Sequence, residues 1–90
     1  MTPMEKQAIS MIAKMVHKSV MEAEEPEEFV ARALQEQPAE LLKAIVTNYE
    51  PQQIVDGIRA VQPDSAGATP HGEEFTVAAF TLLRERLLGA

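Results

Sequence analysis

Between Glu25 and Val55 the chain repeats one pattern three times, as Glu25-Pro26-Glu27-Glu28-Phe29-Val30, Gln37-Pro38-Ala39-Glu40-Leu41-Leu42 and Glu50-Pro51-Gln52-Gln53-Ile54-Val55. In each block proline falls where a first helical residue tolerates it, because the N–H it lacks would have no intrahelical partner there. The Glu or Gln two residues on lies near the positive end of the new helix, and the apolar pair opens a buried stripe. These stripes continue as Ala33 and Leu34, as Ile45 and Val46, and as Ile58 and Val61. The prolines at 26, 38 and 51 stand 12 and 13 residues apart, so each block makes one short helix. Helices of about ten residues are marginal alone and form only by packing on their neighbours. The period is far below the roughly 33 residues of helical solenoid repeats, so the blocks share punctuation and need not form an array of binding modules.

Longer helices flank this middle section. Thr2-Pro3-Met4-Glu5 carries a capping hydroxyl, a proline at the first helical position and a Glu able to close a capping box, which predicts a helix from Thr2 to about Glu24. At 100° per residue, Met4, Ala8, Ile9, Met11, Ile12, Met15, Val16, Ser19, Val20 and Ala23 share one half of this cylinder, while Lys6, Gln7, Ser10, Lys14, His17 and Lys18 share the other. The run Glu22, Glu24, Glu25, Glu27 and Glu28 around Pro26 breaks the helix and reads as a solvated corner. Residues 62–72, QPDSAGATPHG, have no apolar stripe and read as one long loop. A last helix follows from about Glu73 to Leu88, with Phe75, Ala79, Phe80, Leu82, Leu83 and Leu87 on one arc, Arg86 inside it and Gly89 as its stop. That helix is apolar nearly all round, which suits a central element more than a solvent-facing one.

The expected fold is therefore all-α: one domain over 1–90, a compact bundle of about five helices with a long first and last helix packed together and three short Pro-started helices between them. A chain of ninety residues with 46% hydrophobic and 24% charged residues can form a core. Its stability margin is small enough for a partner or a second copy to contribute to it, so a homodimer or other homo-oligomer is among the expected assemblies. There is no cysteine, which excludes disulfides and thiolate ligands. No stretch reaches the roughly 18 apolar residues of a membrane span, and MTPMEKQ has no basic region leading into an apolar run, so the expected location is the cytoplasm with no membrane partner. A net charge of −6 disfavours nucleic acid as a partner.

No G-x-S-x-G, P-loop, G-x-G-x-x-G or H-E-x-x-H pattern is present, so no catalytic residue and no cofactor are expected. His71, Glu73 and Glu74 would serve a metal-dependent enzyme only if a further ligand folded in; otherwise the acids complement a helix dipole. The main charge asymmetry is the first helix, where Lys6, Lys14, His17 and Lys18 form a basic face uninterrupted by acid between Lys6 and Lys18. On the apolar half Met4, Met11 and Met15 read first as core filling, and alternatively as a flexible surface, with Met11 and Met15 beside the lysines, that can repack against a partner. With Phe80 and Arg86 of the last helix, the basic face, Met11 and Met15 are the candidate partner-binding residues. They point to a non-catalytic interaction protein, a small cytoplasmic regulator, adaptor or inhibitor of bacterial or phage type that binds a protein through a helical face. The alternative from the same face is a nucleic-acid-binding regulator using the first helix.

Overall fold

A computed structural model describes residues 2–89. The chain forms five α-helices: α1 (Pro3–Met21), α2 (Pro26–Glu36), α3 (Ala39–Asn48), α4 (Pro51–Val61) and α5 (Pro70–Leu88), with a single 3₁₀ turn at Ala66–Ala68 before the last. No strand occurs among the described residues. The expected five-helix all-α bundle is what the chain adopts.

Local chemistry sets the boundaries. The Thr2 hydroxyl accepts from the Glu5 N–H at 3.2 Å, and the Glu5 carboxylate accepts from the Thr2 N–H at 3.3 Å, closing the expected capping box. Glu28 and Gln53 reach back in the same way to the N–H groups of Glu25 and Glu50, at 3.0 and 2.8 Å. The middle block departs from its fellows: Pro38 lies outside α3 with ψ 134°, and the helix starts at Ala39. Only Gln37 and Pro38 separate α2 from α3, and Gln37 is already used as the C-cap of α2, its N–H donating to Ala33 O at 3.0 Å. Pro38 itself takes the extended N-cap conformation, and no side chain caps the start of α3 as Glu28 and Gln53 help to do in the sister blocks.

The expected long loop at 62–72 is shorter than its composition suggests. Helix α5 begins at Pro70, not Glu73, with the Thr69 hydroxyl accepting from the Gly72 N–H at 3.0 Å. Thr69-Pro70 is the same helix start as Thr2-Pro3, placed inside a Gly- and Pro-rich stretch. Gly72 belongs to the first turn of α5, where a Cβ would run into Ala66 O and lie 2.6 Å from the Cα of Gly67. Helix and turn therefore meet backbone to backbone, and glycine is what allows that approach.

Helix α5 is the hub. It packs on α1, α2, α3, α4 and the 3₁₀ turn, and its Phe75, Ala79, Phe80 and Leu83 are all buried. Phe29 of α2 meets Phe75 edge-on, with ring centroids 5.8 Å apart, and lies 5.5 Å from Phe80. From α1, Ile9, Ile12, Ala13 and Val16 enter the same core, joined by Leu42, Ile45 and Val46 of α3 and Ile54 and Ile58 of α4. Tyr49, just past α3, donates its phenol proton to the Glu5 carboxylate at 2.7 Å, a bond spanning 44 residues. That bond, with help from Thr2, holds the Glu5 carboxyl below the usual carboxylate range, and it raises the Tyr49 phenol. Gly89 ends α5 at φ 72°, as its position predicts.

Candidate interaction face on the first helix

Helix α1 turns Ile9, Ile12, Ala13, Val16 and Ser19 inward and leaves Lys6, Gln7, Lys14, His17 and Lys18 exposed. Met11 and Met15 sit between the two faces, half-buried and packed against the edge of the core. Met4, assigned to the apolar half by periodicity, is 80% exposed, because it lies in the first turn where no other helix covers it. Along this flank Met4, Ala8, Met11, Met15, Lys18 and Glu22 alternate at spacings of four and three residues, which keeps them in one line along the helix.

Lys6, Met11, Lys14 and Met15 are brought together. With Pro3, Gln7 and Ser10 they line an open groove on the outward side of α1. Lys14 and His17 also border a second groove, completed by Val61, Gln62, Pro63, Asp64 and Ser65. His17 has a structural task as well: its Nδ1 accepts from the Ala66 N–H at 2.9 Å, tying α1 to the 3₁₀ turn and leaving Nε2 as the outward-facing nitrogen. Pro3, Gln7 and Ser10 were absent from the expected partner-binding set, although the helical projection already put Gln7 and Ser10 on the polar half.

The two candidates from α5 separate from this face. Phe80 is 2% exposed and packed against Phe29, so it is a core residue and cannot meet a partner in this fold. Arg86 is exposed on the last turn of α5 rather than set within an apolar surface. Of the acid and imidazole groups at 71–74, His71 and Glu74 border one shallow hollow with Glu24 and Glu25, while Glu73 turns away. Glu73 bonds Arg59 at 2.6 Å, and among the described residues no three His, Asp or Glu side chains converge as metal ligands would.

Charge is distributed by residue type. Every ion pair among the described residues is made by an arginine: Arg32 with Glu24 and Glu36, Arg59 with Glu73, and Arg84 with Glu50. No lysine takes part in one among the described residues, and of the outward α1 cations only Lys18 is near enough to an acid, Glu24, to act on it through space. The most enclosed pair closes the opposite end of α1. Arg32 donates to Glu24, to the Ser19 hydroxyl at 2.7 Å and to the Met15 carbonyl at 3.1 Å, while Ser19 donates to Glu24 at 2.8 Å. The Ser19 hydroxyl foremost, then Arg32, keeps the Glu24 carboxyl below its usual range. The backbone there forms a Schellman end: Glu24 N–H donates to Ser19 O at 2.9 Å and Ala23 N–H to Val20 O at 3.2 Å, with Ala23 at φ 54°.

Comparison of the chain with protein families, curated proteins and solved structures finds no match. Among the described residues no helix is long and apolar enough to cross a membrane.

Proposed function

We propose that this chain is a non-catalytic interaction module, a small cytoplasmic regulator, adaptor or inhibitor that engages a protein partner with the outward face of α1. The observation that carries this reading is the leftover charge: Lys6, Lys14 and Lys18 lie exposed on one helix without an ion pair, in a protein whose net charge is −6 and whose arginines, Arg86 apart, are occupied within the fold. Like charges gathered on one face steer an oppositely charged surface towards it, and the adjoining Met11 and Met15 supply apolar area that adapts to what arrives. Lys6 and Lys14 enter no ion pair among the described residues, and Lys18, whose charge helps hold Glu24 ionised from a distance, forms no direct pair either, so their ammonium groups are open to a partner.

The test is affinity capture from native lysate with the wild-type chain and with a Lys14→Glu, Lys18→Glu variant, with and without nuclease. A nuclease-resistant protein retained by the wild type and lost by the variant, with the variant's helical circular dichroism intact, is the expected result. Equal retention by both removes the α1 face from the account. The same lysines also suit a phosphate backbone, and that second reading predicts loss of the captured material with nuclease and a steep fall in binding with salt.

A further inference from the structure

From the layout of α1 we infer that its partner is an acidic amphipathic helix that lies along α1, antiparallel to it, with its apolar seam on Met4, Ala8, Met11 and Met15 and its carboxylates against Lys14 and Lys18. This rests on α1 being the partner face. Three features narrow the occupant. The first is shape: the Met and Ala positions recur at the four-and-three spacing by which one helix packs along another, and the span from Met4 to Lys18 is about 21 Å at 1.5 Å per residue, the length of roughly four helical turns.

The second is the boundary of the charge. The seam runs on into Glu22, and the exposed Glu25, Glu27 and Glu28 follow at the corner beyond it. A polyanion of indefinite length, or an anionic lipid surface, would meet these carboxylates as soon as it left the lysines. A finite helix fits between the two charge zones. Its N-terminus, the positive end of its dipole, belongs beside Glu22, which sets the antiparallel direction.

The third is what a second copy of this chain would offer. Its own α1 has no acid between Glu5 and Glu22, so pairing α1 with α1 offers Lys14 no carboxylate along the seam. Its α2 is acidic but has Phe29, Val30 and Ala33 buried and presents no apolar seam. The exposed row of α5, Glu74, Ala78, Thr81 and Glu85, has carboxylates but only small side chains between them, so it offers the methionines little apolar area. An acidic helix from a different protein satisfies both halves of the face.

The experiment titrates two synthetic amphipathic peptides into the full-length, isotopically labelled chain. Both have leucine along the seam; one carries glutamates on its flanks and the other lysines. The glutamate peptide is expected to shift the backbone resonances of Ser10, Met11, Lys14 and Met15, and to bind at least about tenfold more tightly than its lysine twin, the equivalent of one desolvated charge pair. Binding should fall by a similar factor in the Lys14→Glu, Lys18→Glu variant. No shift, equal binding of the two peptides, or shifts centred away from α1 would overturn the inference. A photo-crosslinker at Gln7 in the lysate capture separates this failure from that of the broader reading. An adduct to an acidic helical segment of another protein supports the inference. An adduct to a basic or non-helical segment, a lipid, a nucleic acid or a second copy overturns it. A protein lost on charge reversal but crosslinked through a non-helical segment leaves the module reading standing, whereas the absence of any partner dependent on Lys14 and Lys18 removes both.

Discussion

The chain turns back against α1 at two corners, and it builds them by opposite means. After Met21 it uses side chains: Arg32, Glu24 and Ser19 bond one another, and Ala23 takes a left-handed conformation to bring Glu24 round. After Ser65 it uses the lack of side chains, with Gly67 against Val16 and Gly72 against the 3₁₀ turn, and His17 as the side-chain tie. Where groups are held by hydrogen bonds and charge, geometry can adjust and solvent conditions matter. Where two backbones touch, nothing can yield. The glycine corner should therefore be intolerant of added atoms, and the charged corner should respond to pH and leave room for improvement.

The largest effect is expected at the glycine corner. Gly72→Ala puts a methyl into the backbone of residues 66 and 67 and should destabilise the fold by about 3 kcal/mol or more, read as a lowered urea midpoint. A loss below about 1 kcal/mol, smaller than a typical overpacking penalty, would show that α5 can slide from the turn and that the two corners are not opposites. Next comes Arg32→Ala, which takes the cationic partner from Glu24 and a donor from Ser19 and Met15, for an expected loss of about 2 kcal/mol, less than for a fully buried pair because Arg32 keeps some solvent contact and Ser19 still bonds Glu24.

Acidification tests the same corner without mutation. The folded Glu24 carboxyl is held below its usual range, so its contribution is complete at neutral pH, where both folded and unfolded forms are ionised. It erodes as pH falls through the ordinary carboxylate range, where the unfolded chain takes up the proton first. Stability measured between pH 7 and 3, a span bracketing ordinary carboxylate titration, should fall less steeply in Glu24→Gln than in the wild type. The smallest effect is a gain: Ala23→Gly should stabilise by about 0.5 kcal/mol, since relief of the left-handed strain outweighs the extra freedom of the unfolded glycine.

Legibility followed the same division. Helix starts made by local chemistry could be read directly, as at Thr2-Pro3, Glu25-Pro26 and Glu50-Pro51, because a cap involves residues only a few positions apart. The start at Thr69-Pro70 has the same chemistry but stands among Gly, Ser and Asp, and it becomes a helix only because α1 and α4 give the 3₁₀ turn something to pack on. Gly72 reads as a loop residue until its neighbour across space is known. Likewise, periodicity placed Lys6, Lys14 and Lys18 on the outside and Met11 and Met15 on the apolar half, where the structure leaves them at its margin, and it could not separate a core aromatic from an interface anchor. Phe80 and Phe75 look alike along the helix; Phe29, from another helix, decides where both go. The Arg32 network was not anticipated, since Ser19, Glu24 and Arg32 are joined only after the chain has turned at Ala23.

The bond between Tyr49 and Glu5 gives the molecule an optical property. Tyr49 is its sole tyrosine and there is no tryptophan, so near-ultraviolet emission comes essentially from one phenol. A carboxylate that accepts the phenol proton quenches tyrosine fluorescence, and here that acceptor sits at the first turn of α1. The native chain should be dim and the unfolded chain bright. Emission at a single wavelength then reports the meeting of the start of the chain with its midpoint, so assembly of the long-range structure can be timed in the unmodified protein.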